Sequence, residues 1–155
     1  MDIIKVFILA MTPIGELRAA LPVALQHYKL GLPLAFAVSI IGNLVPVVAI
    51  VFLLNPVQRF LSRHSRLFAI FFEKLFARTR RKHSRRFERF EEMALISFVA
   101  IPLPVTGAWT GALASFVFGI PPRKAIPLIA LGVTIAAVVV TLLTLGISGV
   151  WARVL

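Results

Sequence analysis

The chain has 155 residues and a mean hydropathy of +0.95, and its hydrophobic content of 59% exceeds that of soluble domains, which are about half apolar. Its formal net charge is +11, although only six residues are acidic, and it has no cysteine. This composition excludes disulfides and thiolate chemistry and leaves few groups for acid/base catalysis or metal binding, and no common nucleotide, zinc-protease or hydrolase motif occurs. We therefore expect a helical membrane protein that is not an enzyme and holds no metal and no cofactor.

The first apolar segment, residues 3–25, is interrupted near its middle by Pro13 and Gly15. Proline removes a backbone donor and keeps the preceding residue out of the helical region, so one straight helix is not expected. The arm before the break is about 14 Å long, about half of a hydrocarbon core of about 30 Å. This length favours a re-entrant helical hairpin. Glu16 and Arg18 follow the break, which argues against a cleaved signal peptide.

Two segments without a single charge predict membrane-spanning helices. They are residues 32–54 and 125–150, and a helix needs roughly 20 apolar residues to cross the hydrocarbon core. We expect a multi-pass protein of the cell (inner) membrane. In the first span, Gly42, Asn43 and Pro46 predict a kink, and we interpret Asn43 as an interhelical hydrogen-bonding residue rather than a ligand.

The stretch between the spans, residues 56–92, carries eleven of the 17 Lys and Arg residues. The positive-inside rule predicts that it is cytoplasmic. Phenylalanines at helical spacing predict one amphipathic helix, or two with a bend near Thr79, on the inner membrane surface. The simplest interpretation is an anchor, and participation in lipid handling is the alternative. Membrane lipids, not nucleic acid, are the expected partner. The predicted headgroup contacts are Arg80, Arg81, Lys82, Arg85 and Arg86.

A second broken segment, residues 93–120, is interrupted by Pro102 and Pro104. When Gly15 is placed over Gly107, several small and apolar residues coincide, and each half consists of a broken segment, a short polar link and a clean span. The order of elements therefore predicts one membrane domain with two repeats, residues 1–55 and 93–155, joined by the basic linker.

The predicted topology follows from one true crossing in each half. With a cytoplasmic linker, the repeats are then inverted and both termini lie outside. Arg123 and Lys124 lie inside, as the charge rule prefers. The alternative is four plain spans with both termini inside, which moves Arg123 and Lys124 outside and straightens both breaks.

Apart from Lys5 near the start of the first one, Glu16 and Arg18 are the only charges within the apolar segments, and intramembrane charges usually mark a pathway or a buried pair. Residues two apart do not share a face of a regular helix, so the two bond each other only if the backbone is irregular, and otherwise have different partners. Helix N-termini predicted near both breaks favour an anion site. The alternative is a structural lock between the hairpins. The candidate substrate- or ion-binding residues are Glu16, Arg18, Thr106, Gly107, Trp109 and Thr110, with Pro13, Gly15, Pro102 and Pro104 at the breaks.

Two motifs resemble the signatures of the bacterial small multidrug export membrane protein family. They are PIGELRAALP at residues 13–22 and IPLPVTGAWTGAL at residues 101–113. The arrangement is also distantly similar to the DedA (SNARE-associated, VTT) superfamily, a likeness that implies re-entrant hairpins and handling of lipids such as undecaprenyl phosphate. That likeness implies roles for Glu16 and Arg18; the second hairpin holds no charge, and Arg123 lies nearest to it.

The leading functional hypothesis is a small transporter or lipid-carrier translocase. A lipid or small-molecule substrate would enter between the hairpins, Glu16 would exchange protons or a cation, and Arg18 would hold an anionic group. The alternatives are proton-coupled efflux of small hydrophobic drugs and a non-transporting membrane scaffold that acts through the basic helix. A chain of this size hardly encloses a pathway alone, so we expect a homo-oligomer.

Overall fold

The computed structural model describes residues 1–80, 85–102 and 106–154, with side chains described except at residues 68, 75, 76, 78–80, 85–88 and 147–154. Regular structure within these ranges is helical throughout, which confirms the predicted all-α fold. The α-helices are α1 (Asp2–Met11), α2 (Glu16–Pro22), α3 (Leu32–His64), α4 (Arg66–Arg80), α5 (Arg85–Ala100), α6 (Ala108–Val117) and α7 (Pro122–Val154), and a π-helical turn (Val23–His27) extends α2.

The first helix pair, α1 and α2, turns at residues 12–15. α1 ends because Thr12, which precedes Pro13, takes an extended conformation with φ −74° and ψ 144°. The Thr12 hydroxyl donates to the carbonyl of Leu9 at 2.8 Å and accepts from the amide of Gly15 at 3.0 Å. These two bonds close a tight tip, from which α2 runs back along α1. We define the second helix pair as α5 and α6, whose tip is described at residues 101, 102, 106 and 107.

Both returning arms end in a residue with left-handed backbone. Lys29 has φ 51° after the π-helical turn, and Gly119 has φ 71° after α6. Around Lys29 the amide of Leu30 donates to the carbonyl of Ala24 at 2.9 Å, a bond typical of a closed helix C-terminus. The two arms therefore stop in the same way, and each is followed within a few residues by a long helix.

The long helices approach the first arm of each pair very closely at a glycine. A Cβ atom at Gly42 of α3 would lie 2.8 Å from the carbonyl oxygen of Phe7 in α1, and one at Gly132 of α7 would lie 3.0 Å from that of Ile96 in α5. Small residues at such crossings allow helices to pack by van der Waals contact where no hydrophobic effect drives association. α1 is thus fixed on α3, and α5 on α7.

Three structural landmarks recur at the same spacing in the two halves of the chain. The left-handed residues (Lys29 and Gly119), the first residues of the long helices (Leu32 and Pro122) and the contact glycines (Gly42 and Gly132) are each 90 positions apart. The second helix of each pair also contacts the long helix of the other half: α2 contacts α7, and α6 contacts α3. The long helices α3 and α7 contact each other as well.

Side-chain contacts join α1 to the residue that follows the π-helical turn, and α5 to the start of α7. The Lys5 ammonium lies 5.6 Å from the ring centroid of Tyr28, and Lys124 forms a 3.0 Å salt bridge with Glu92. α3 begins shortly after Tyr28, at Leu32. α4, which follows α3, packs a phenylalanine (Phe72) against the end of α6, with ring centroids 6.1 Å apart.

α3 and α7 are long and apolar enough to cross a membrane, with mean hydropathy 2.6 and 2.7 in their most apolar windows. Only 39% and 44% of those windows is buried within the protein, so an apolar surface faces outward. Such a surface suits lipid better than water. The predicted repeat and linker boundaries at residues 55 and 92 fall inside α3 and α5, which continue without a break.

Candidate functional site

Glu16, the first residue of α2, lies at the contact between the two tips. Its side chain is 8% exposed, and its carboxylate accepts a hydrogen bond from the amide of Trp109 at 3.3 Å. The amide of Ala108 also interacts with it. The backbone of Glu16 has φ 44°, a left-handed conformation that is costly for a residue other than glycine. The fold thus holds a strained residue in order to direct this carboxylate at the N-terminus of α6.

Gly107 provides the surface on which the carboxylate rests. Its φ of 179° is extended backbone that any residue adopts, so conformation does not require glycine here. A Cβ atom at this position would collide with both carboxylate oxygens of Glu16. The requirement is therefore one of space: only glycine lets the carboxylate reach the first amides of α6.

Trp109 joins the two tips a second time. Its indole Nε1 donates to the carbonyl of Met11 at 3.3 Å, while its backbone amide donates to Glu16. The carbonyl of Met11 is one of those left without an intrahelical partner at the end of α1. Beside it, the Thr110 hydroxyl accepts from the Gly107 amide at 2.9 Å and fixes the start of α6.

Arg18 has a different partner from Glu16. Its Nη2 donates to the hydroxyl of Thr106 at 3.4 Å, and that hydroxyl donates to the carbonyl of Ile101 at 2.6 Å. None of the ion pairs among the described residues joins Arg18 to Glu16. The guanidinium is half-buried and therefore lies at the edge of the tip contact, next to the carboxylate but not bonded to it.

When Glu16 is ionised, its negative charge faces positive charge at the N-terminus of α6 and on Arg18. A helix N-terminus carries partial positive charge and unpaired amides, and a carboxylate placed there is stabilised. Arg18 adds a nearby positive charge. Protonation of Glu16 removes the attraction to both, so one proton changes the strength of the contact between the two tips.

The structure brings the predicted binding residues together: Glu16, Arg18, Thr106, Gly107, Trp109 and Thr110 all lie where the tips meet. Pro13, Gly15 and Pro102 lie at the two tips, and Pro104 lies outside the described residues. Of the predicted lipid-headgroup residues, Arg81 and Lys82 lie outside the described residues, and only the backbone is described for Arg80, Arg85 and Arg86.

Sequence reasoning missed the backbone part of the site. The carbonyls of Met11 and Ile101 accept side-chain bonds across and within the tips. Backbone acceptors leave no residue-specific signal in a sequence. The coincidence of Gly15 with Gly107 indicated that the tips correspond, but not that Glu16 reaches across to Gly107.

A family model described as "Putative small multi-drug export protein" matches residues 16–139, a range that includes the candidate binding residues from Glu16 to Thr110. The chain belongs to the small multidrug export family. The name of the small multidrug export family implies a transport function, and together with the two long apolar helices it makes this chain a membrane protein. Comparisons with curated proteins and with solved structures found no match.

Proposed function

We propose that the two helix pairs are re-entrant hairpins that enter the membrane from opposite faces, so that the halves are inverted repeats. The salt bridge between Glu92 and Lys124 supports this, because it brings Glu92 of α5, before the second tip, to the level of Lys124 at the start of α7, after α6. The contact glycines of α3 and α7 lie ten residues into their helices, or about 15 Å. Two hairpins of that depth meet in the middle of a core about 30 Å thick.

This arrangement gives a definite topology in the inner membrane. With the basic linker in the cytoplasm, the base of the second hairpin is cytoplasmic as well, together with Arg123 and Lys124. The first hairpin opens to the other side, and α3 and α7 are the two full crossings. The alternative with four plain spans places Lys124 and Glu92 on opposite faces, which their 3.0 Å salt bridge does not favour.

We further propose that the chain is a proton-coupled transporter whose central contact is controlled by Glu16. One observation carries the proposal: a strained, buried carboxylate of one tip receives the first amides of the helix in the other tip. Buried acids at mid-membrane depth are typical proton carriers in transporters. Ionised Glu16 holds the tips together, and protonated Glu16 releases them.

The same geometry suggests how an anionic substrate is handled. When protonated Glu16 leaves the N-terminus of α6, those amides and the neighbouring Arg18 can receive a phosphate group instead. Substrate and ionised Glu16 then compete for one set of donors, which links binding to proton uptake. A lipid carrier such as undecaprenyl phosphate has the matching chemistry: one charged headgroup on an apolar chain that remains in the bilayer.

The family description favours a second candidate, export of small hydrophobic molecules. In that case ionised Glu16 attracts an organic cation, and a proton displaces it. Trp109 lies half-buried beside the carboxylate and offers an aromatic face. The proximity of Arg18 disfavours a cation at this position. Neither candidate requires a chemical step, and we propose no enzymatic activity.

A ligand-dependent thermal shift on detergent-purified protein separates these candidates, because a ligand that binds only the folded state raises its unfolding temperature. The ligands are undecaprenyl phosphate and a panel of hydrophobic cations. The variants are Arg18→Ala and, as a matched control, Arg123→Ala, an exposed arginine at the base of the second hairpin. Stabilisation by the phosphate that is lost only in Arg18→Ala supports the lipid carrier.

The other outcomes each have a meaning. Stabilisation by cations alone, lost in Glu16→Gln, identifies drug export. The scaffold interpretation requires that no ligand stabilises the protein. It also requires that cells with Glu16→Gln or Arg18→Ala behave as wild type, whereas cells in which Arg80, Arg81 and Lys82 are neutralised do not. For the proton role the decisive result is transport by Glu16→Gln: unchanged rates at every pH contradict it.

We propose, finally, that the chain acts as a homo-oligomer and that its basic segment contacts lipid headgroups. α4 exposes apolar residues, with Leu67 81% and Phe71 58% exposed, on a segment that also carries Arg66 and Lys74. Such a helix suits the interface of an anionic membrane. Cross-linking in native membranes at several expression levels tests the oligomer: a monomer at every level contradicts it.

A further inference from the structure

The first helix pair returns through a π-helical turn, whereas α6 of the second pair is α-helical throughout. The amide of Tyr28 donates to the carbonyl of Val23 at 3.1 Å, five residues back. The amide of Phe118 donates to the carbonyl of Ala114 at 2.9 Å, four residues back. Tyr28 and Phe118 are 90 positions apart, as are the left-handed residues that follow them. The last turn of the first arm therefore holds one extra residue.

The next bonded amides along the two arms show the same difference. Leu30 donates to the carbonyl of Ala24 at 2.9 Å, six residues back. Its counterpart 90 positions later, Ile120, donates to the carbonyl of Ser115 at 2.9 Å, five residues back. Single π-helical turns are rare and are frequently found at functional sites. The extra residue is thus a specific feature of the first arm and calls for a functional reason.

Helical bonding is weak where α2 meets the π-helical turn. Pro22 has no N–H group, so it cannot donate to the carbonyl of Arg18 four residues earlier. The amide of Val23 is shared between the carbonyls of Ala19 and Ala20. Helices bend sharply at prolines and at π-helical turns, and both are present here. A rotation of α2 at this junction therefore disturbs few regular hydrogen bonds.

The two ends of the first arm are held in different ways. At the base, which leads into α3, the Lys5 ammonium lies 5.6 Å from the ring centroid of Tyr28, and His27 packs edge-on against the same ring. At the tip, Glu16 has a left-handed backbone that is costly for this residue, and its carboxylate contact with α6 holds it there. When that contact is lost, the base stays in place and the tip can turn.

The second arm lacks both features among its described residues, since α6 has no π-helical turn and its first residues have no left-handed backbone. The hydroxyl of Thr110 accepts from the amide of Gly107 and fixes the start of α6. Phe72 of α4 packs against Phe116 near the other end. The first tip is therefore the one that is built to move.

We propose that the π-helical turn is a hinge: when the carboxylate of Glu16 leaves α6, the turn becomes α-helix and α2 rotates on its base. One residue of an α-helix corresponds to about 100°, so absorbing the extra residue rotates α2 by about that angle. At the outer radius of a helix, about 5–6 Å, a side chain then moves by about 8 Å. The hinge rests on the proposed release of the tips by Glu16, and it adds which tip moves and by what change of backbone.

The test measures distances between two spin labels on the full-length chain in detergent, since the chain has no cysteine of its own. Ile14→Cys labels the first tip, at a residue that is 98% exposed, and Ile101→Cys labels the second, also at an exposed residue. Each is paired with Val57→Cys, an exposed position of α3. Labelled chains are diluted with unlabelled chains, so that only distances within one chain are measured.

The trigger is Glu16→Gln, which removes the charge of the carboxylate at every pH. It is expected to change the distance from Ile14 to Val57 by at least about 4 Å, half of the full displacement, and the distance from Ile101 by less than about 2 Å. Deletion of Gln26, an exposed residue of the π-helical turn, leaves no extra residue to absorb. In that background the first distance is expected to keep its wild-type value. Gln26→Ala, the matched control, keeps the length of the turn and is expected to allow the movement.

Three outcomes overturn the hinge. If the second tip moves, or if the first tip moves equally in the deletion background, the hinge is wrong but the release of the tips by Glu16 stands. If neither distance changes in Glu16→Gln, the release itself is wrong, and the hinge fails with it. The comparison of the two tips needs no deletion, so it decides the question even if the shortened chain does not fold.

Discussion

Replacing Gly107 by alanine tests the contact between the tips of the two helix pairs with a single methyl group. Its extended backbone accepts alanine without strain, so any loss of stability must come from what the methyl group meets. What it meets is the carboxylate of Glu16, whose two oxygens occupy the space of the new Cβ atom. The carboxylate must therefore move away from the amides of Ala108 and Trp109.

The expected magnitude follows from three contributions. A hydrogen bond to a charged group is worth about 1.5–3 kcal/mol. Overpacking a filled site costs about 1–3 kcal/mol. Alanine recovers about 0.4–1 kcal/mol by restricting the unfolded chain. We expect Gly107→Ala to lower the free energy of unfolding by about 2–5 kcal/mol, or at least 4 °C in the midpoint at about 2–4 °C per kcal/mol.

A double-mutant cycle in detergent isolates the contact. In a Glu16→Ala background the carboxylate is gone, and Gly107→Ala is expected to change stability by less than about 1 kcal/mol. Gly146→Ala is the matched control, because a Cβ atom at Gly146 of α7 has no neighbouring atom within 4 Å. The reasoning is refuted if Gly107→Ala is as stable as wild type, or if its cost is unchanged when Glu16 is alanine.

Three further predictions concern the contacts around this site. Trp109→Phe loses the indole bond to the carbonyl of Met11 and should cost about 0.5–1.5 kcal/mol in unfolding free energy. Lys124→Glu or Glu92→Lys alone should lower the free energy of unfolding by up to about 1 kcal/mol, because this salt bridge is partly exposed. The double exchange, which restores an opposite-charge pair, should recover most of that loss. Gly42→Ala should cost about 1–3 kcal/mol because its methyl group meets α1.

Each of these predictions has an outcome that contradicts it. A Trp109→Phe protein with unchanged stability shows that the indole bond contributes nothing. Charge-exchange effects that simply add show that Lys124 and Glu92 do not meet. A Gly42→Ala protein as stable as Gly146→Ala shows that α1 and α3 are not in close contact.

The sequence predicted the helical elements well because their signals are local. Proline and glycine mark the first tip at residues 12–15, and the charge-free segments mark the cores of α3 and α7. The ends of the long helices were harder to predict, since α3 continues to His64 through a basic, polar stretch that composition assigned to the linker. A helix ends where its backbone hydrogen bonds end, whereas composition indicates only whether a segment lies in an apolar or a polar environment.

The candidate site was predicted as a set of residues but not as a set of contacts. Glu16 and Arg18 stand out because charges within apolar segments are rare. The partner of Glu16, Trp109, lies 93 positions away, and the partner of Arg18, Thr106, lies 88 positions away, so only the folded chain shows them. The sequence predicted a helix N-terminus free to bind an anion; the structure fills it with the protein's own carboxylate.

The most direct test of the hairpin arrangement is the sidedness of two positions. Because the chain has no cysteine, Asp2→Cys and Arg123→Cys can each be labelled with a membrane-impermeant maleimide in intact cells, with permeabilised cells as the control. The account predicts that position 2 is labelled from outside and that position 123 is labelled only after permeabilisation. Labelling of position 123 but not position 2 in intact cells would instead show four plain spans and contradict the meeting of two hairpins at Glu16.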